Sequence, residues 1–276
     1  MPNRIRLFAR PGITAPEREL SEHFNSMIGA LSSDGAWVAF GDDSIGGVMQ
    51  SYLRSTSGAP PISLGPGWPA SFTPDSRTLV VVQPGVPGVL LQPVGSGQPK
   101  TVRLDGFELP IGRKSAGLFP DGKAIWFSGH EPSRPERIWR VDISGGNPVP
   151  LTQEGVLGGW VTDDGASVVF LRDGRDSIQA IEGGEARLVK NICEGEVVAA
   201  WTADGKPLFV FNRFECPVKI YRIDPKTEAR EFFGEVGPAD RTGVLFVGLM
   251  VTPDGKTCAY QVFQWLTELH LIEGLR

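Results

Sequence analysis

The chain turns the same corner six times. LSSDGAWVAF (31–40), SFTPDSRTLVVV (71–82), LFPDGKAIWF (118–127), WVTDDGASVVF (160–170), WTADGKPLFVF (201–211) and VTPDGKTCAY (251–260) share one plan. Each runs from an apolar stretch through Asp-Gly or Asp-Ser into a second stretch with apolar residues at alternate positions. Anchored on Asp34, Asp75, Asp121, Asp164, Asp204 and Asp254, the copies are spaced by 41, 46, 43, 40 and 50 residues. That is the period of one four-stranded propeller blade, roughly 40–50 residues.

The columns around the anchor agree. Four residues after it stand Val38, Leu79, Ile125, Val168, Leu208 and Cys258, and six after it Phe40, Val81, Phe127, Phe170, Val210 and Tyr260. Same-face positions on a strand recur every two residues, so one face of this strand is expected to be buried in every copy. Three before the Asp, all six residues are apolar. Five before it stand Gly29, Ala70, Ala116, Gly159, Ala199 and Leu249, mostly small, as a strand beside a crowded central axis requires. Gly after the Asp, or Ser76 in one copy, supplies the positive φ of a tight turn, and the Asp can bind neighbouring backbone N–H groups. The six aspartates are therefore expected to be structural, at the hairpin between the first two strands of each blade.

Third strands are expected at Gln50–Arg54, Val89–Gln92, Arg137–Asp142, Ser177–Ile181, Lys219–Asp224 and Glu268–Ile272. Fourth strands are expected at Pro61–Leu64, Thr101–Leu104, Val149–Thr152, Arg187–Val189 and Arg230–Phe233. The sixth copy ends at Arg276 after its third strand, so Arg4–Ala9 is expected to supply its fourth and close the ring, removing an unpaired edge. The expectation is an all-β, six-bladed propeller forming one domain over 1–276, with blades near 24–64, 66–104, 107–152, 156–190, 195–234 and 243–276 plus the strand at 4–9.

Composition suits this. Gly numbers 35 and Pro 23 among 276 residues, the punctuation of many short strands. Apolar residues are 41%, enough for a core, and the net charge of −5 lacks the clustered basic face that nucleic acid needs. No apolar run approaches the roughly 20 residues of a membrane span, and the N-terminus lacks the apolar core of a signal peptide. A free-standing chain is expected in the cytoplasm, and one that a further domain tethers to a membrane is expected outside it.

The x-Pro-Asp-Gly hairpins resemble the WD40-like, or TolB-type, β-propeller repeat of bacteria, over nearly the whole chain. YLRSTSGAPPISLGPG (52–67), IWRVDISGGNPVPLTQEG (138–155) and TELHLIEGLR (267–276) are similar to the propellers that end certain bacterial multidomain serine/threonine kinases. That resemblance implies a sensor or docking role, for a regulatory piece, a free-standing relative or a truncated remnant. No kinase Gly-rich loop, HRD or DFG is present, so no phosphoryl transfer is expected.

Other motifs dissolve on inspection. Residues 117–124 match GxxxxGK by spacing, but Ala124 and a following strand replace the Ser/Thr and helix of a P-loop. Residues 65–70 imitate GxGxxA, but two prolines remove donors a pyrophosphate needs. His23, His130 and His270 are far apart. No CxxC, HxH, HExxH or GxSxG occurs, so neither a zinc site nor a hydrolase centre is expected. Propeller lactonases gather acidic residues on inner strands; here Glu196 stands nearly alone. No cofactor and no metal are expected. Cys193 and Cys216 fall in loops of one face, where a disulfide is geometrically allowed if the Cα separation permits; two independent thiols are the alternative.

Propellers bind through loops on a rigid ring. The face opposite the Asp hairpins holds Trp68, Arg113, Lys114, His130, Glu131, Arg134, Arg175, Arg213, Phe214 and Trp265, a mixture rich in the Trp and Arg that anchor interfaces. Residues 128–137 (SGHEPSRPER) form the loop expected to protrude most, whereas Trp68 and Trp160 can equally pack between blades. The leading expectation is a monomeric, non-catalytic module that binds protein or peptide. The alternative is a small-molecule or metal-binding propeller, hydrolytic or not, with its site at the channel mouth.

Overall fold

A computed structural model of the chain describes residues 4–83, 85–110, 112, 115–202, 204–224 and 226–266. Every helix or strand among them is a strand, and the strands form six four-stranded antiparallel sheets. Arg4–Arg10 (β1) and Arg18–Glu19 (β2) come first. Blade one is Met27–Leu31 (β3), Trp37–Asp42 (β4), Gln50–Ser55 (β5) and Ile62–Pro66 (β6). Blade two is Trp68–Phe72 (β7), Thr78–Val82 (β8), Gly88–Pro93 (β9) and Lys100–Arg103 (β10). Blade three is Ala116–Leu118 (β11), Ala124–Gly129 (β12), Arg137–Asp142 (β13) and Val149–Pro150 (β14). Blade four is Leu157–Val161 (β15), Ser167–Arg172 (β16), Arg175–Ala180 (β17) and Arg187–Leu188 (β18). Blade five is Glu196–Trp201 (β19), Pro207–Asn212 (β20), Val218–Ile223 (β21) and Arg230–Val236 (β22). Blade six begins with Val244–Val251 (β23) and Cys258–Gln264 (β24).

The N-terminus closes the ring, but by two strands rather than one. β1 pairs with β24 from Arg4↔Gln264 to Arg10↔Cys258, and β2 lies outside it, giving the order β2-β1-β24-β23. Arg4–Ala9 is thus the third strand of the last blade, not the fourth. The physical reason lies in RIRLFAR itself: Leu7, Phe8 and Ala9 are all buried, on both faces, as suits an internal strand. The third strand expected at Glu268–Ile272, with His270, lies outside the described residues; the place beside β24 belongs to β1.

The second strand of each blade is buried on both faces: Val38, Ala39 and Phe40 have no solvent exposure, nor do Leu79, Val80 and Val81. Blade five departs from the Asp-anchored columns. Its hairpin is one residue shorter, because Thr202 donates its N–H to Lys206 where Thr252 donates to Thr257, five residues on. Pro207, paired with Trp201, therefore takes the place occupied elsewhere by Val38 or Cys258, and Leu208 is only half buried.

The six turns share one chemistry. Asp Oδ1 accepts the backbone N–H two residues on, at 3.0 Å for Ala36, Arg77 and Lys256 and 2.9 Å for Lys123 and Ala166. Five turns add a hydroxyl two residues before the Asp. Ser32, Thr73 and Thr162 donate to Asp34, Asp75 and Asp164 at 2.6 Å and Thr252 to Asp254 at 2.7 Å; Thr202 donates to Asp204. Blade three has Phe119 there instead and buries it.

The small residues beside the axis also acquire a cause. Gly29, Ala70 and Ala199 each fall at a register break in an inner strand, as a β-bulge does. At Gly29 the backbones of blades one and two meet: a Cβ there would overlap the Pro69 carbonyl oxygen.

Candidate functional site

The ring has two unlike ends. At the hairpin end, residues from all six inner strands line a cavity of about 190 Å³ in the central channel. Its wall is small and apolar around Gly29, Ala70, Gly117 and Ala199, with the Trp160 and Trp201 rings 4.4 Å apart on one side. Neither tryptophan is exposed, so both serve first as inner-wall packing.

The opposite end is built from the loops that lead into each blade and those joining second to third strands. Trp68 does not present itself there. It is 6% exposed and stands against Gly41 between blades one and two. Aromatic volume was needed in the wedge, and the indole fills it. Arg113 and Lys114 lie outside the described residues.

The loop at 128–137 is braced rather than free. His130 exchanges two backbone hydrogen bonds with Glu108, at 2.9 and 3.0 Å. Glu136 accepts the Gly158 N–H at 3.0 Å, binding the loop to blade four, and also accepts the Ser128 hydroxyl. Arg137 and Arg134 reach Glu154 at 2.7 and 3.4 Å. Glu131 remains exposed at the tip, and Arg175 is exposed beside the Asp173-Gly174 turn of blade four.

Two of the expected residues, Arg213 and Phe214, meet Phe246 at the seam of blades five and six. The Arg213 guanidinium carbon lies 4.8 Å from the Phe246 ring centroid and 5.6 Å from that of Phe214. Phe246 stacks on Phe263 at 4.9 Å and 8°. Trp265, two residues on from Phe263, is held by its N–H to the Gly243 carbonyl at 2.8 Å. Phe246 and Leu245 were missed by the sequence reading. The signal was present: the first strand of the sixth copy starts with a longer apolar run, VLFVGLMV, than its counterparts.

Cys193 and Cys216 are both free thiols, as is Cys258. They sit in different surroundings: Cys193 lies 3.5 Å from an Arg230 nitrogen, beside the Glu196–Arg230 ion pair, whereas Cys216 packs at Gly237. Burial pushes the Cys216 thiol up. Glu196 is absent from the residues that line the channel cavity and is engaged by Arg230 of the outer strand β22; despite the opposing effect of its burial, that pairing leaves its carboxyl below the usual range. Among the described residues no group of three or more His, Cys, Asp or Glu converges as metal ligands would, and no helix is long and apolar enough to cross a membrane.

With this geometry in view, solved structures of the same shape can be compared. A TolB structure from Agrobacterium tumefaciens aligns over 96% of this chain and 100% of its own, with a TM-score of 0.61 and 18% identity. TolB from Acinetobacter baumannii aligns over 94% of this chain and 63% of its own, at 0.55 and 17%. Hydrazine synthase from Kuenenia stuttgartiensis shares the shape over 89% of this chain and 83% of its own, at 0.52 and 15%. No protein-family profile and no curated protein sequence matches. The class is therefore a six-bladed β-propeller of TolB-like fold. At these identities the likeness establishes the fold and nothing finer.

Proposed function

We propose that this chain is a non-catalytic docking module whose loop face binds a protein or peptide. The observation that supports this reading is where apolar surface remains. Thirteen large apolar side chains are exposed among the described residues. Four of them, Ile62, Val149, Leu188 and Phe232, lie on outer strands. The other nine stand in the loops and strand ends of the loop face, Phe214 and Trp265 among them. Apolar groups on a rigid, polar-rimmed end of a scaffold mark interaction sites more than chance exposure does. The residues expected to contribute are His130, Glu131, Arg134, Arg175, Arg213, Phe214 and Trp265. The small-molecule reading would use the channel mouth; the cavity at the hairpin end, about 190 Å³, is smaller than the roughly 300 Å³ at which ligand pockets begin.

Photo-crosslinking in the native cell tests the reading. A photoreactive amino acid at Phe214 should capture one defined partner, and the same group at Val149 on the outer rim or at Pro253 on the hairpin face should not. Capture from the rim or hairpin face alone would overturn the assignment of the loop face.

A further inference from the structure

Among the described residues, Arg213 is held unlike the other arginines of the loop face. Its carbonyl accepts the Val247 N–H at 2.8 Å, so the next blade fixes its backbone. Its guanidinium lies over Phe214 and Phe246, and Phe246 is itself backed by Phe263. Its Nε is buried without an acceptor, and among the described residues the guanidinium makes no ion pair. By contrast Arg4 and Arg6 pair with Glu19, and Arg134 and Arg137 with Glu154. A planar fork that is stacked on aromatic rings has already lost much of its rotational freedom and matches a carboxylate with two parallel hydrogen bonds. The flank is apolar: Phe214, beside the guanidinium, is 69% exposed.

We infer that Arg213 is the recognition point for a carboxylate on an extended peptide that places an apolar side chain beside it, against Phe214. This deepens the docking reading and rests on it. A guanidinium fork would also accept phosphate, but a chain of net charge −5 is poorly suited to a polyanion, and the aromatic flank favours a peptide with its own apolar groups. The carboxylate can be an Asp or Glu side chain or a peptide C-terminus, which share the same chemistry.

The experiment uses random dodecamer libraries displayed with blocked and with free C-termini, panned against the full chain. Synthetic versions of the selected peptides are then titrated against wild type, Arg213→Gln, Arg213→Lys and Phe214→Ala, each checked for an unchanged melting curve. Selected peptides should carry an acidic residue, or a free C-terminus, next to an aromatic or aliphatic residue. Arg213→Gln should weaken binding by about tenfold or more, and Arg213→Lys, which keeps the charge and loses the fork, by several-fold. Asp→Asn or Glu→Gln changes and C-terminal amidation in the peptide identify which carboxylate is read. Binding that Phe214→Ala weakens and Arg213→Gln leaves intact keeps the docking face and overturns the carboxylate fork. Binding that neither change affects overturns both, as does a library that yields no binder.

Discussion

The side-chain oxygen of Gln261 accepts the Ile28 backbone N–H at 2.6 Å, joining the last blade to the first beside the axis. The same seam carries the Ile5 N–H to the Phe24 carbonyl at 2.7 Å and Arg54 to the Leu20 carbonyl at 2.9 Å. Replacing Gln261 by Ala strands a partly buried donor, at a cost of about 1–3 kcal/mol. Urea unfolding should show a lower midpoint with an unchanged slope, since the surface exposed on unfolding is the same. An unaltered midpoint would mean that the bond does not hold the ring shut.

The hairpin aspartates make the fold acid-sensitive in a defined window. The Ser32 hydroxyl and Ala36 N–H hold the Asp34 carboxyl below its usual range; Thr73 and the Arg77 N–H do so for Asp75, and the Lys256 N–H and Thr252 for Asp254. A carboxyl whose pKa is depressed on folding adds stability above its unfolded pKa, about 3.9, and loses it as pH falls through the folded value. These groups are largely exposed, so each contributes modestly. Thr73→Val should cost about 1 kcal/mol at pH 7 and should flatten the decline in stability measured between pH 5 and pH 2.

Much of this was readable from residues alone, and the failures have physical causes. Asp-Gly at a blade-long period, with apolar residues two apart, specifies a hairpin and its buried face whatever the surroundings, so the six blades could be placed. What could not be placed depended on partners distant in the chain. RIRLFA reads as a spare strand, but whether it is third or fourth is decided by β24, some 250 residues away. The one-residue contraction in blade five is invisible until Lys206 replaces the fifth residue as the hydrogen-bond partner of Thr202. Among site residues, Trp68 reads as an anchor by residue type, but the wedge between two blades claims it. Arg213 and Phe214 were placed by their loop, and their platform, Phe246, comes from the neighbouring blade.

The three thiols should react in a fixed order. Cys193 is exposed, Cys216 half buried, and Cys258 wholly buried, where burial pushes its thiol up to about 12. The thiolate is the reactive species. A native-state titration with a thiol reagent at pH 8 should therefore modify Cys193 fast, Cys216 slowly and Cys258 only on unfolding. Fewer than three reactive thiols in denaturant without reductant would show a bridge after all.

Tyr260 controls the alkaline limit. Burial, followed by the hydrogen bond its hydroxyl donates to Glu17, raises its pKa well above the ordinary value, against the pull of Arg10. Arg10 in turn binds Glu17 at 2.7 Å and the Ile13 carbonyl at 3.2 Å, so the network ties the connection between β1 and β2 to blade six. A group raised on folding keeps its contribution below its unfolded pKa, about 10 for a phenol, and loses it as pH climbs from there towards the folded value. Tyr260→Phe should cost about 1–2 kcal/mol at pH 7. It should also weaken the dependence of melting temperature on pH above 10; an unchanged alkaline slope would remove Tyr260 from the account.

Backbone geometry separates two kinds of small residue that look alike in sequence. Ser76 is the one hairpin residue other than Gly, and it adopts φ 60, where its counterparts Gly35, Gly122, Gly165, Gly205 and Gly255 lie between 68 and 74. A side chain there costs roughly 1 kcal/mol, so Ser76→Gly should stabilise by up to about that amount. Gly122→Ala, with open space around the new methyl group, should destabilise by a similar amount through conformation alone. Gly29 differs in kind. Its φ is not in the left-handed region, but its missing Cβ is what lets blade one approach the Pro69 backbone, which cannot move without shifting a whole sheet. Gly29→Ala should therefore cost several times more than Gly122→Ala, on the order of 3 kcal/mol as overpacking does. Equal melting temperatures for the two variants would show that the blades are not in close contact at that point.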